Sequence, residues 1–209
     1  MAEAEHTQRG EFALTREGEG RVDEIVARYP EAQAAMLPVL WVVQEEQGWI
    51  SIDAMEWVAG RLGCSPATVQ SVVRFYTMFD ELPVGKYKLQ VCRTLSCEIM
   101  GARRIIDHLE ERLGVEPGET TEDGLFTLQE VECLASCGTG PMMQCNFRFY
   151  ENLTPERIDA LLEELRGREP ELDDIQPVIY ERPAPEAYQR MFPKTAQPAT
   201  AGAAPRGRR

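Results

Sequence analysis

Six cysteines occur in the 209 residues, and four of them fall into two tight pairs. The stretch "VCRTLSCEIMGA" carries Cys92 and Cys97, and "VECLASCGTGP" carries Cys133 and Cys137. Cys64 and Cys145 stand apart. Each pair lies where an alternating, strand-like run gives way to a loop, so both can project from one end of a sheet toward a common point. Such a quartet can serve a disulfide framework, a zinc site or a redox cluster. Four unrelated buried thiols are the plainer reading, because unpaired cysteine packs as a small hydrophobe. Two close pairs, both at strand ends and both among small residues, argue against it.

Zinc is the stronger rival. Four-cysteine zinc sites use pairs separated by about two to four residues, and C-x-x-C is the usual knuckle. Neither pair here is C-x-x-C. Wider loops suit a larger inorganic body, in which each of two irons takes two thiolates. Spacing alone therefore leans toward a [2Fe–2S] cluster and leaves zinc open. The loop residues lean the same way. A thiolate-bound cluster is anionic and becomes more so on reduction, so its burial needs backbone N–H groups close to sulfur. Thr94, Ser96, Gly101, Ala135, Ser136, Gly138, Thr139 and Gly140 are small enough to allow that approach, although glycines also punctuate ordinary turns. Arg93 would offset charge, while Glu98 and Glu132 would lower the reduction potential.

The elements that must position these loops can be read from periodicity. Residues 1–20 are polar and rich in Gly and Glu, and are expected to form a flexible leader. From 21 to 80 the period is helical. "AAMLPVLWVVQEEQGW" predicts a long apolar helix bent at Pro38 and closed near Gly48. Ile52, Met55, Val58, Ala59 and Leu62 form one helical stripe, and Ser65-Pro66 opens another helix lined by Val69, Val72, Val73 and Tyr76. After "DELPVGK" the period becomes that of strands. "KYKLQVC" puts Tyr87, Leu89 and Val91 on one face. Ala102, Ile105, Ile106, Leu109 and Leu113 predict an amphipathic helix; "GLFTLQEVEC", "PMMQCNF" and "FRFYE" predict three more strands, the last two a hairpin. Thr154-Pro155 opens a final helix stopped at Gly167. The fold class is thus α+β: an N-terminal helical bundle at 21–80, then a compact α/β domain at 81–169. Residues 170–209 hold seven of the 14 prolines and predict an extended tail.

Composition narrows function by exclusion. A formal net charge of −13 and a pI near 4.7 oppose binding to nucleic acid or anionic lipid, whose phosphates need Lys and Arg. The longest apolar run, Ala34 to Val43, is too short to span a bilayer. The N-terminal residues lack the pattern of a secretory signal or an Arg-rich transit peptide. A cytosolic location is the resulting expectation, and thiols there stay reduced, which disfavours disulfides.

"VCRTLSCEIMGA" followed by "VECLASCGTGPMMQCN" strongly resembles the thioredoxin-like [2Fe–2S] subunit, the small flavoprotein-associated one, of respiratory NADH:quinone oxidoreductase, complex I. The likeness extends through "LPVLWVVQEEQGWIS", "FYTMFDELPVGKYKLQVC" and "YENLTPERIDALLEEL", from about Arg21 to Leu165. It implies that the α/β domain is thioredoxin-like and carries one [2Fe–2S] cluster, with Cys92, Cys97, Cys133 and Cys137 as ligands. It further implies a partner flavoprotein subunit that binds FMN and NADH, other peripheral-arm subunits of complex I, and a position at the inner face of the cell membrane without insertion. The family commonly has Ala where this chain has Gly140. Cys145 takes an apolar strand position and is expected to pack.

No G-x-G-x-x-G opens a helix after a strand and no P-loop occurs, so this chain is not expected to bind NADH by itself. Only His6 and His108 are present. His108, in an acidic helix, is expected to face solvent, and neither a Ser-His-Asp triad nor a His-bearing zinc site has material. Three rivals remain: the equivalent diaphorase subunit of an NAD-linked hydrogenase or formate dehydrogenase, a zinc-stapled interaction module, and, least favoured without C-x-x-C, a thiol–disulfide oxidoreductase.

Overall fold

Helix boundaries follow local signals in the sequence. Helices α1 (Arg16–Val26), α3 (Ile52–Leu62), α4 (Pro66–Phe75) and α7 (Pro155–Arg166) each open on a hydroxyl side chain, Thr15, Ser51, Ser65 and Thr154, that accepts a hydrogen bond from a first-turn N–H. Helices α2 (Met36–Gln47), α3 and α6 (Ala102–Leu113) stop at Gly48, Gly63 and Gly114, all with positive φ, where a side chain would strain the backbone. Between α4 and α6 lie strand β1 (Tyr87–Cys92) and the short helix α5 (Leu95–Ile99). Strands β2 (Phe126–Val131), β3 (Met143–Cys145) and β4 (Arg148–Tyr150) follow α6. These elements come from a computed structural model, which describes residues 12–168.

Residues 12–20 depart from the expected leader. Helix α1 starts at Arg16, and Leu14, Gly18 and Val22 are buried. Residues 1–11 and the proline-rich segment 170–209 lie outside the described residues. Pro38 is a second departure. It falls in the first turn of α2, where an N–H has no intrahelical acceptor, so a proline there needs no bend. Helix α2 is buried around most of its circumference, through Met36, Val39, Leu40, Trp41, Val42 and Val43. It is the centre of a hydrophobic cluster that draws on α1, α3 and α4.

The sheet order is β2-β1-β3-β4, with β1 parallel to β2 and the other pairs antiparallel. Leu128, Leu89 and Cys145 lie in one row across the sheet. With Tyr87, Val91, Phe126 and Met143 they pack against Ile105, Ile106 and Leu109 of α6 and Ile158, Leu161, Leu162 and Leu165 of α7. Cys145 is therefore a packing residue. Phe126 and Tyr87 stack at 5.8 Å between centroids.

Strand β1 is buried on both faces. Its alternate residues Lys88 and Gln90, polar in sequence, are covered because the end of the helical region lies over them. Lys88 Nζ donates to both Asp80 carboxylate oxygens, at 2.9 and 2.8 Å. Asp80 N–H donates in turn to Gln44 Oε1 of α2. Burial pushes the Asp80 carboxyl above its usual range, while the Lys88 ammonium pulls the other way. Gly85, at this junction, is required by close approach: a Cβ there would sit 2.8 Å from the Phe126 carbonyl carbon. His108 is partly covered rather than solvent-facing, with Nε2 3.0 Å from Asp159 Oδ1 on α7.

Candidate metal centre

The first cysteine pair grows from β1. Cys92 is the last residue of that strand, paired in register with Val131 at the end of β2, so both cysteine loops leave the sheet from the same edge. Cys97 lies not in a loop but in α5, and both thiols are about 1% exposed. Their small pocket is closed by Ala102, Met142 and Leu134.

The second pair rises from the residues after β2. Cys133 and Cys137 are exposed, with their sulfurs 3.8 Å apart. Ala135, between them, takes a left-handed backbone at φ 63, which turns its N–H onto Cys133 Sγ at 3.3 Å. Cys137 opens a single 3₁₀ turn that ends at Thr139.

The two loops interlock. Cys92 N–H donates to the Met142 carbonyl at 3.1 Å, and Arg93 N–H donates to the Val131 carbonyl at 3.0 Å. The backbone N–H of Leu134, from the second loop, reaches Cys92, and that of Met142 reaches Cys97. Ser96, in α5, hydrogen-bonds Cys137. Gly140 presses against the first pair: a Cβ there would lie 3.3 Å from Cys97 Sγ. Arg93 and Glu132, each beside a cysteine, are joined by a 2.6 Å ion pair, so the cation expected to offset cluster charge is taken up by an acid of the opposite loop.

Acidity differs among the thiols. Burial opposes ionisation of Cys92, yet hydrogen bonds from Thr94, from the Leu134 and Thr94 N–H groups and from Cys97 outweigh it and lower its pKa. Cys97 is pushed up to about 11 by burial and by sharing its proton environment with Cys92. Cys137 is raised by its hydrogen bond to Cys133 and the negative charge that thiol would carry. Thiols that raise one another's pKa are ones a cationic metal would deprotonate on binding.

The sulfurs therefore come together two by two, Cys92 with Cys97 and Cys133 with Cys137. Among the described residues, no group of three or more His, Cys, Asp or Glu side chains is gathered about a single metal position. Two thiol pairs on interlocked loops, lined by backbone N–H groups and small residues, make a donor set that suits a body with two metals, each taking two thiolates. The donors fit a [2Fe–2S] cluster. A cavity of about 450 Å³ lies elsewhere, at the Trp41–Asp80–Lys88–Phe147 junction, and no cysteine lines it.

Sequence reasoning missed Glu151. Its Oε1 accepts hydrogen bonds from the hydroxyls of Ser136 and Thr139, the latter at 2.5 Å. Nothing in "FYENL" announces a contact 12 to 15 residues back along the chain.

A β-α-β unit followed by an antiparallel hairpin and a helix thus carries two thiol pairs at one end of the sheet. The family model for thioredoxin-like [2Fe–2S] ferredoxins matches residues 22–166, and the chain belongs to that family. It is 46% identical over 149 residues to "NADH-quinone oxidoreductase subunit 2" of Thermus thermophilus, covering 70% of this chain and 82% of that protein. It is 40% identical over 148 residues to another NADH-quinone oxidoreductase subunit, from Rhizobium meliloti, covering 71% and 88%. The crystal structure of an air-oxidised NAD+-reducing [NiFe]-hydrogenase shares the fold, with a TM-score of 0.56 and 21% identity over 65% of this chain and 23% of that one. No described helix is long and apolar enough to cross a membrane.

Proposed function

We propose that this chain is the electron-transfer [2Fe–2S] subunit of an NADH:quinone oxidoreductase, with Cys92, Cys97, Cys133 and Cys137 as the cluster ligands. When bound, the cluster supplies a one-electron carrier. The observation that carries this reading is the interlocked pair of cysteine loops at one sheet edge, in a chain 40–46% identical to named subunits of that enzyme. The protein's own residues would hold the inorganic core by four thiolates, direct the N–H groups of Leu134, Ala135 and Met142 at sulfur, and shut water away from the Cys92 side.

The exposed pair would face a partner. Leu95, Ile99 and Met100, on and just after α5, are 60–75% exposed beside it, an apolar surface unusual for one isolated chain. The partner in this reading is the FMN- and NADH-binding flavoprotein subunit, within the peripheral arm of a complex at the inner face of the cell membrane. The same proposal divides the chain into a helical domain that ends near residue 80 and whose first helix already starts at Arg16, not at the expected 21, and a thioredoxin-like domain, 81–169, with a proline-rich tail, 170–209, after. Two separate hydrophobic clusters support that division.

Affinity purification of the chain from its native host tests the reading. An FMN-containing chain should co-purify, and NADH should bleach the visible absorbance of the complex. Recovery with hydrogenase or formate dehydrogenase subunits would transfer the assignment to a soluble diaphorase. Recovery with no flavoprotein would overturn it.

A further inference from the structure

Residues 151–153, just after β4, form a strap across the second cysteine loop. The Glu151 carboxylate takes the Ser136 and Thr139 hydroxyls on one oxygen. Asn152 N–H donates to the Thr139 carbonyl at 2.8 Å, and Leu153 N–H to the Pro141 carbonyl at 2.9 Å. Arg157 of α7 anchors the strap from behind, donating from Nη1 to the carbonyls of Glu151 and Asn152 at 3.0 and 2.9 Å. Ser136 and Thr139 bracket Cys137, so the arc that presents this thiol is held at both ends by one carboxylate.

The charge of that carboxylate matters as much as its shape. Glu130 and Glu132, the acids before Cys133, face Arg93 and Arg103. Glu151 is held by hydroxyls, which stabilise its ionised form without cancelling its charge. Those hydrogen bonds keep its carboxyl below the ordinary glutamate value of 4.5.

We propose that Glu151 is a positioning residue that fixes the Cys137 arc and, as a negative charge with no ion-pair partner among the described residues, holds the reduction potential of the site down. This rests on the four cysteines holding a [2Fe–2S] cluster. Reduction adds one electron per chain and makes the site more negative, and a neighbouring anion opposes that. Glu151→Gln keeps the shape and one acceptor oxygen but removes the charge; Glu151→Asp keeps the charge.

The test is an anaerobic redox titration of the full chain, with dithionite as one-electron donor and visible absorbance and EPR as readouts. At the wild-type midpoint, Glu151→Gln should raise the reduced-to-oxidised ratio about threefold or more, the scale of one partly screened charge, while Glu151→Asp stays near wild type. Loss of iron in Glu151→Gln with retention in Glu151→Asp would equally support an ionised strap. An unchanged ratio in Glu151→Gln, or equal iron loss in both variants, overturns the proposal. A wild-type chain that binds no iron would instead fail the underlying cluster reading.

Discussion

The two cysteine pairs are built in opposite ways. Cys92 and Cys97 are inside the protein, one ending a strand buried on both faces and the other on a helix packed beneath Met142. Cys133 and Cys137 are at the surface, on a short arc with little apolar support, shaped by the left-handed Ala135 and by the hydroxyl–carboxylate strap. The first pair is positioned by hydrophobic packing, which is collective and tolerant of single losses. The second is positioned by a few hydrogen bonds, each of which counts. One side of the candidate site is thus sealed against water and the other is open to it.

The largest expected effect comes from the thiols themselves. Cys97→Ser and Cys133→Ser should each lose most bound iron, whereas Cys145→Ser, in the sheet core, should retain it. Equal loss in all three, read by iron and sulfide analysis, would dissolve the distinction between site and packing cysteines. Leu89→Ala tests the support of the buried pair. Leu89 is fully buried at the centre of β1, and its truncation should cost about 2–5 kcal/mol in urea unfolding.

Gly140→Val probes where the loops meet. Its first added carbon would already stand 3.3 Å from Cys97 Sγ, so the larger side chain should destabilise by about 1–3 kcal/mol and lower iron retention. Arg93→Ala should do least. Its 2.6 Å bond to Glu132 joins the two loops, but with the partners 52% and 74% exposed it should change stability by less than about 1 kcal/mol.

Much of this architecture was legible in the sequence, for physical reasons. Apolar periodicity located α2, α3, α4, α6 and α7, and capping residues marked the end of α2, the start of α4 and both ends of α7. Cysteine spacing pointed to the sheet edge. What could not be read is what depends on distant segments meeting. Lys88 and Gln90 look like the wet face of a strand until the helical region covers them. The start of α1, residues 16–20, reads as leader because "REGEGR" is so polar, while its second half falls in the stretch from Arg21 that already reads as helical. Asp159, which meets His108, is 51 residues away. The N–H groups of Leu134 and Met142 act through backbone geometry, which leaves no trace in residue type, and the Glu151 carboxylate meets its two hydroxyls only because the fold returns β4 to the second loop.

The central claim is that the four sulfurs share one two-iron site. Iron, acid-labile sulfide and zinc analysis of anaerobically purified full-length protein, with EPR after dithionite reduction, addresses it most directly. The account predicts two irons and two sulfides per chain, a red-brown colour and a rhombic signal from the reduced protein. Stoichiometric zinc with no visible absorbance would contradict it.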